Sequence, residues 1–181
     1  MELALAGCRV REWRPEDAAS LARHADNRRI WRNVRDHFPH PYTLADAETW
    51  IERAAAEQPP TQFAVEVEGE AAGGVGVFLQ RDVERRSAEL GYWLGEAYWG
   101  RGLMTDVVRR FTAEAFDAFG LIRIYAVVFE WNPASCRVLE KAGFVLEGRL
   151  RRAVVKDGAV LDQFLYAAVR EAAALSGAKG P

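Results

Sequence analysis

The sequence predicts an α/β domain with a mixed sheet, because its hydrophobic residues change period along the chain. Large apolar side chains alternate with alanine or glutamate over residues 63–68, which is the two-residue period of a strand. Over residues 103–119 apolar residues recur every four positions, which indicates a helix packed on a sheet. The predicted order is β, α, α, α, β, β, β, α, β, α, β, β. We therefore expect an antiparallel meander and then a parallel crossover around the helix after Gly102.

The length and composition are those of one globular domain covering residues 1–181. A chain of 181 residues can bury a sizeable core, whereas two domains would each be small. The formal charge of −2 argues against a general nucleic-acid-binding protein, which usually carries a basic excess. Cys8 and Cys136 make no disulfide framework, and with the three histidines they offer no metal-ligand spacing.

The N-terminal residues predict neither export nor membrane insertion. Glu2 stands where a signal peptide has a basic residue, and no apolar run approaches the length that spans a bilayer. We therefore expect a cytoplasmic protein with no metal, no membrane partner and no nucleic-acid partner. Residues 176–181 are small and polar, and we expect this C-terminal tail to be flexible.

The first third of the chain is predicted to hold one strand and three helices. Residues 8–13 form the strand, and Pro15 with two following acids suits the first turn of a helix that ends near residue 24. A short second helix covers residues 27–34, and two prolines make the next segment a loop. Thr43, with Asp46 three residues on, resembles a capping signature for a helix that ends near residue 57.

The remaining residues are predicted to supply most of the sheet. A half-buried strand at 63–68 is followed through short connections by strands at 73–79 and 85–94. Residues 122–129 are apolar apart from one arginine, which suits a central strand. The Asp-Gly pair at 157–158 lies between apolar runs and predicts a hairpin. The last predicted elements are a helix and the two hairpin strands, at 133–142, 144–155 and 160–169.

Two glycines flank one arginine where the last meander strand gives way to the long helix. Gly100 and Gly102 tolerate positive φ and let a backbone approach a ligand closely. The first turn of a helix also has amide hydrogens without an internal partner, and these attract anions. The stretch therefore suits a pyrophosphate. Two glycines before a helix are more often a tight turn, however, and Thr105 stands where a dinucleotide-binding motif has its third glycine.

A second motif lies downstream of the first, and the order of the two motifs and their separation along the chain are informative together. The first is Trp99-Gly100-Arg101-Gly102-Leu103-Met104-Thr105, and the second is Asn132-x-x-Ser135 with Leu139-Glu140-Lys141-x-Gly143-Phe144. Together they resemble the GNAT superfamily of acetyl-CoA-dependent N-acetyltransferases. The resemblance covers about residues 8–171 and is closest to the RimJ/RimL branch. Further stretches typical of that branch are Arg14-Pro15-Glu16-Asp17-Ala18, Phe38-Pro39-His40-Pro41-Tyr42, Glu89-Leu90-Gly91-Tyr92-Trp93-Leu94 and Glu147-Gly148-Arg149-Leu150.

The resemblance implies a mostly antiparallel sheet, splayed between two central strands, with helices on both faces. Acetyl-CoA would lie in the V between the third meander strand and the strand ending at Phe129. Its pantetheine arm would pair with strand backbone, and its pyrophosphate would bind the loop and the helix start. The implied cofactor-binding residues are Trp93, Leu94, Trp99, Gly100, Arg101, Gly102, Leu103, Met104, Asn132, Arg137 and Lys141.

The implied reaction is direct attack of a primary amine on the acetyl thioester in a ternary complex. It needs a base that removes a proton from the ammonium group. Glu89 is the candidate base, because it alternates with Gly91 and Trp93 and so shares a face of the strand with them. The alternative interpretation is an edge carboxylate in water, or one paired with Arg85 or Arg86.

The reaction also needs an acid that protonates the departing thiolate. Ser135 is the candidate, and the alternative is a hydroxyl that bonds backbone at its helix start. The chain departs from the family here, because many members carry a tyrosine acid where this sequence has Leu139. It departs again at Trp99, where the family often has Gln or Arg.

The acceptor site is expected to be formed by residues 27–42 and by the final hairpin. The candidate substrate-binding residues are Trp31, Asn33, Phe38 and Tyr42. Core packing is the alternative for Trp31 and Phe38. Lys156, with two neighbouring arginines, is a candidate for attracting an acidic acceptor, against the alternative of a solvated hairpin face.

Three functions remain open at this point. The first is an N-acetyltransferase, monomeric or homodimeric, whose acceptor is a protein N-terminus or a small amine. The second is a non-catalytic acyl-CoA-binding module that regulates a partner, which the missing tyrosine favours. The third is a structural domain that binds no coenzyme A.

Overall fold

An eight-stranded mixed sheet runs through the protein in the computed structural model, which describes residues 1–170. Its strands are β1 (Leu3–Leu5), β2 (Cys8–Arg11), β3 (Gln62–Val67), β4 (Glu70–Leu79), β5 (Ser87–Leu94), β6 (Arg123–Phe129), β7 (Val145–Lys156) and β8 (Ala159–Val169). They lie in the order β1-β2-β3-β4-β5-β6-β8-β7, and β5 pairs with β6 in parallel. The α/β class, the meander and the parallel crossover are therefore confirmed. The expected flexible tail lies outside the described residues.

Five α-helices cover this sheet within the described part of the chain. They are α1 (Ala18–Ala25), α2 (Arg28–Trp31), α3 (Leu44–Ala56), α4 (Leu103–Ala118) and α5 (Pro133–Lys141). Local hydrogen bonds fix their starts. The Asn27 carboxamide accepts from the amide of Arg29, and Thr43 and Asp46 form the predicted capping box before α3. The first predicted helix begins three residues late, because Pro15–Asp17 forms a separate 3-10 turn.

The strands β5 and β6 pair only at their beginnings. Their register comprises Ser87 with Arg123, Ala88 with Ile124 and Glu89 with Tyr125. Residues 90–94 of β5 remain paired with β4, and the rest of β6 pairs with β8 on its other side. The two central strands therefore diverge after Glu89 and leave a wedge between them, as the GNAT resemblance implies.

The sheet has a hydrophobic core on each face. On one face α4 packs Val107, Phe111 and Ala115, all with no exposed surface, against apolar residues of β3, β4 and β6. On the other face α1 and α3 pack against Ala64 and Ala71. This second layer corrects the prediction of a half-buried β3, because both faces of that strand are covered by helices.

The structure adds one strand that the sequence analysis placed nowhere. Leu3–Leu5 pairs antiparallel with β2, and Leu3 opposes Val10. Three residues are too few to display a period, so the pattern of hydrophobic residues gave no signal for β1. Gly7, with φ of 83°, makes the turn between the two strands.

Candidate active site

The wedge between β5 and β6 opens into a cavity of about 800 Å³. One half is lined by the end of β5, the loop that follows it, the start of α4 and one side of α5. The other half is lined by the loop after α2, by α3 and by the aromatic residues of β5. Glu89 and Ser135 both belong to the wall, so the cavity joins the predicted cofactor side to the predicted acceptor side.

The loop before α4 exposes a turn with a backbone geometry suited to an anion at this cavity. Gly100 and Gly102 have φ of 77° and 81°, and a Cβ added to either would meet no atom within 4 Å. No side chain caps α4, and its first internal bond runs from the Thr105 amide to the Gly102 carbonyl over 3.0 Å. The amides of Leu103 and Met104 precede that bond and have no helical partner. The predicted bend is exposed and lies on the cavity wall rather than beneath side chains.

The two large side chains of this loop take different directions. The Arg101 guanidinium bonds the Glu68 carboxylate over 2.9 Å and lies above the Tyr98 ring, and this side chain is not part of the cavity wall. Trp99 does line the cavity, and its indole NH donates to the Leu94 carbonyl over 2.7 Å. The Arg101 side chain is therefore directed away from the cavity, and the carbonyl of Leu94 is already bonded.

The helix α5 presents polar groups to the same half of the cavity. The Asn132 side chain caps α5 by accepting from the Ser135 amide over 3.2 Å. Arg137 and Lys141 lie one turn apart on this helix, are exposed, and line the cavity with Asn132. Two cations on one helical face are well placed for phosphate groups.

The hydroxyl of Ser135 meets a phenol that the sequence analysis did not select. Its Oγ lies 2.6 Å from the hydroxyl of Tyr92 on β5. Burial raises the pKa of Tyr92, so this phenol stays protonated at neutral pH. Leu139, at the position where the family often has tyrosine, has no exposed surface and does not reach the cavity. The phenol thus reaches Ser135 from the opposite arm of the wedge.

Glu89 lies where β5 and β6 part. Its carboxylate lines the cavity, and its side chain is 14% exposed. It forms an ion pair with Arg35 from the loop after α2, not with Arg85 or Arg86 as the alternative interpretation held. Gly91 and Trp93 line the cavity with Glu89, but so do Leu90, Tyr92 and Leu94, so the alternation along β5 does not distinguish Glu89.

Three of the four candidate acceptor residues line the cavity. Phe38 packs against Tyr42 with ring centroids 4.8 Å apart, and edge-on against Trp93 at 5.7 Å. The Asn33 side chain donates to the Arg29 carbonyl, while its buried Oδ1 has no partner in the described part of the chain. These aromatic and amide groups form one continuous wall of the acceptor half.

Trp31 lies outside the cavity and packs within the protein. The Lys156 ammonium lies 3.9 Å from the centre of its ring, and His40 stacks on it at 5.7 Å. Lys156 is 2% exposed and bonds Asp36 over 2.6 Å. The packing alternative therefore holds for Trp31, and a solvated hairpin face is wrong for Lys156, which ties the hairpin to the loop after α2.

A family comparison agrees with this geometry. The family model described as acetyltransferase (GNAT) domain matches residues 8–145, more than half of the chain. The chain belongs to the GNAT family.

Relatives of this GNAT chain include several N-acetyltransferases. YokL of Bacillus subtilis, a prophage-derived uncharacterized N-acetyltransferase, is 27% identical over 90% of this chain and 89% of its own. The uncharacterized N-acetyltransferase YoaA of the same organism is 39% identical over 48% of this chain and 49% of its own. The chain thus spans about half the length of some curated relatives that it matches.

The solved structure of RimJ from Mycobacterium smegmatis, in complex with CoA-disulfide, has a TM-score of 0.80. It is 28% identical and covers 91% of this chain and 82% of its own. The GNAT fold and the RimJ/RimL likeness are therefore shown, and a GNAT structure of this kind accommodates coenzyme A.

Relatives of this GNAT domain differ in the acceptor that their names give. Spermidine N(1)-acetyltransferase of Escherichia coli is 29% identical over 65% of this chain and 63% of its own. The ribosomal-protein-serine acetyltransferase of the same species is 31% identical over 53% of this chain and 54% of its own.

Other residues of the GNAT cavity carried no signal in the sequence. Arg53 and Trp50 of α3 line the acceptor half, and so does His37 from the loop after α2. Arg53 and Trp50 lie on a helix whose apolar period marks only the face toward the core, so their cavity face is visible only in the fold. The described residues contain no helix long and apolar enough to cross a bilayer, and no cluster of His, Cys, Asp and Glu suited to a metal.

Proposed function

We propose that this protein transfers the acetyl group of acetyl-CoA to a primary amine by direct attack in a ternary complex. The observation that carries the proposal is the uncapped start of α4, which opens into a cavity that continues to Glu89 and the aromatic acceptor wall. The start of α4, the diverging strands and the Glu89 carboxylate thus border the same cavity. Acetyl-CoA supplies the activated acyl group, and the protein's own residues hold it and handle the protons.

On the cofactor side, the amides of residues 100–104 bind the pyrophosphate, whereas the Trp99 amide already donates to the Glu96 carbonyl. Arg137 and Lys141 extend positive charge along the same half of the cavity. The Gly95 amide donates to the Ala72 carbonyl on β4, so the neighbouring Leu94 presents its backbone to the wedge. The Trp99 indole already binds the Leu94 carbonyl, so the Leu94 amide is the group left for the pantetheine arm or for an oxyanion.

On the chemical side, Glu89 accepts the proton of the acceptor ammonium. It lies at the apex of the wedge, and Arg35 holds its carboxylate there. Ser135 donates a proton to the thiolate of coenzyme A and draws on the phenol of Tyr92, which lies 2.6 Å from its Oγ. The pair of hydroxyls replaces the single tyrosine that many family members carry at the position of Leu139.

The acceptor is a protein N-terminus or a small amine. The cavity is lined by Arg35, Arg53 and His37 as well as by Glu89 and Asp46, so it is not an acid-lined pocket of the kind that a polyamine favours. We therefore expect a monocationic amine to be a better acceptor than a polyamine such as spermidine. Monomer or homodimer, and a cytoplasmic location, remain predictions.

Coenzyme A release tests the proposal directly. We expect acetyl-CoA to bind in calorimetry and free thiol to appear steadily when peptides and small amines are added. Binding without turnover on any amine would favour the non-catalytic acyl-CoA-binding module. Absence of binding would favour the structural domain and reject both others.

A further inference from the structure

The acceptor half of the cavity has a polar face of α3 that the proposed chemistry does not use. Asp46, Thr49, Trp50 and Arg53 all line the cavity. They recur at three- and four-residue spacings and so lie on one side of the helix. The opposite side carries Ala47, Ile51 and Ala54, which pack in the core. One side of α3 therefore packs in the hydrophobic core, and the other side faces the cavity.

The charges of this half are satisfied within the protein, with one exception. Asp46 accepts from the amide and the hydroxyl of Thr43 over 2.8 and 2.6 Å, so it is bound to its own helix start. Arg35 pairs with Glu89. Arg53 forms no ion pair with any residue from 1 to 170 that the structure describes. One cavity-lining guanidinium is thus left for a ligand.

Arg35, Arg53 and His37 all line the cavity. Burial and then the positive charges of Arg35 and Arg53 hold the pKa of His37 below its ordinary value, while Asp36 and Glu89 act in the opposite direction. Because Glu89 pairs with Arg35, Arg53 is the cation of this wall that a negatively charged group of the acceptor can bind. The aromatic residues Phe38 and Trp50 line the cavity beside it.

We infer that the acceptor amine carries a carboxylate, which Arg53 binds while the amine lies near Glu89. The inference rests on the proposed function. Arginine binds a carboxylate through two parallel hydrogen bonds and is always charged, so it discriminates an acid from its amide. The carboxylate belongs either to a free amino acid or to an acidic side chain next to a peptide N-terminus.

Matched acceptors separate the acid from its neutral equivalent. L-Phenylalanine is compared with L-phenylalaninamide, and a peptide beginning Ser-Asp with one beginning Ser-Asn. For at least one pair we expect kcat/KM to favour the acid, and the pair that responds identifies the source of the carboxylate. Spermidine as the best acceptor, or equal rates within both pairs, would overturn the inference while leaving the acetyltransferase proposal intact.

Variants of Arg53 then assign the preference. We expect R53Q to lower kcat/KM for the acidic acceptor about 10-fold or more, because a charge-assisted hydrogen bond is lost, and to change the neutral acceptor less than about 2-fold. R53K should restore much of the rate. R110Q removes a charge from α4 that pairs with Glu114 and serves as the control. Equal losses for acid and neutral acceptors in R53Q would contradict the site.

If no acceptor is turned over, the proposed function fails and the site is judged by binding alone. The same acids and neutral equivalents are then titrated calorimetrically into the protein with coenzyme A present. Acid binding that R53Q weakens would support the site. No acid binding, or binding that R53Q leaves unchanged, would reject it.

Discussion

At the scale of single residues, the account depends on hydroxyls that meet across the wedge. Tyr92 and Ser135 come from a strand and a helix that are 43 residues apart in sequence, and their oxygens lie 2.6 Å apart. The phenol is half-buried, and its raised pKa keeps it protonated, so it can replace a proton that Ser135 gives away. Ser135 is the direct donor of the pair, and Tyr92 is the neighbour that returns a proton to it.

We predict that Ser135→Ala lowers kcat by roughly 10²-fold, the lower end for positioned proton transfer, and changes acetyl-CoA affinity much less. Tyr92→Phe should lower kcat less than Ser135→Ala does, because Ser135, the direct proton donor to the thiolate, is still present. Steady-state kinetics and calorimetry measure the two effects. Ser20→Ala, which removes a hydroxyl bonded to the Asp17 carbonyl, is the control for folding. Unchanged turnover in Ser135→Ala would remove Ser135 from the mechanism.

The sequence allowed candidate residues to be proposed, but it did not reveal which side chains they contact. Ser135 could be proposed from its place in a motif, and Glu89 from its alternation with Gly91 and Trp93. Their partners, Tyr92 and Arg35, were not, because contacts between distant segments depend on how the strands diverge. Arg85 and Arg86 were nearer in sequence to Glu89 and yet do not pair with it. Local spacing favours neighbours, whereas the wedge brings together residues from different layers.

At the scale of elements, a buried ion network ties the start of α1 to the sheet. Arg11 is 4% exposed and Asp17 is 5% exposed, and their Nη1 and Oδ2 atoms lie 2.7 Å apart. Arg11 also bonds Glu66 on β3, and Arg9 bonds the same carboxylate. The two carboxylates share one guanidinium, and the backbone amide of Arg14 also donates to Asp17.

We predict that Asp17→Asn lowers the free energy of unfolding by about 3 kcal/mol, because Arg11 would keep a buried charge with one partner fewer. Urea unfolding followed by circular dichroism measures it. Asp117→Asn breaks an exposed pair with Arg170 and should lower the free energy of unfolding far less. Similar losses in both variants would contradict the ranking of the two pairs.

The same network predicts a pH dependence through Glu66. The hydrogen bond from Arg11, aided by Arg9, holds the pKa of Glu66 below its ordinary value. A group with a depressed folded pKa adds stability above its unfolded pKa of about 4.3 and loses it as pH falls through the folded pKa. We expect the unfolding free energy of Glu66→Gln to fall less than that of the parent between pH 6 and the acid limit. Parallel pH curves would contradict this assignment.

Elements were the most predictable scale, and β3 illustrates the limit. Its alternation of large and small residues correctly predicted a strand, and the capping box of α3 correctly predicted a helix start. The alternation did not reveal that Ala64 is covered by α1 and α3, because alanine is compatible with either a solvent face or a close-packed one. Burial on the second face is a tertiary fact.

At the scale of the whole molecule, the splayed sheet turns separate motifs into one site. The wedge between β5 and β6 places the helix start after Gly102, the α5 cations and the acceptor wall around one cavity. The GNAT resemblance supplied this architecture, and the residues alone predicted only a crossover. The turn at Gly100 and Gly102 could be predicted from the sequence, because glycine favours the positive φ that both residues adopt. The direction of the Arg101 side chain could not, because its partner Glu68 lies in a turn far away in sequence.

We propose that the diphosphate of acetyl-CoA binds the unpaired amides at the start of α4, and calorimetry on two variants of Gly102 measures this interaction. Gly102→Ala and Gly102→Glu share the strain of a side chain at φ of 81°, and only the second adds a carboxylate to the anion site. We predict that Gly102→Ala still binds acetyl-CoA and that Gly102→Glu binds at least ~100-fold more weakly, because like charges cost several kcal/mol when they meet. Folded Gly102→Glu protein with the affinity of Gly102→Ala would contradict the account.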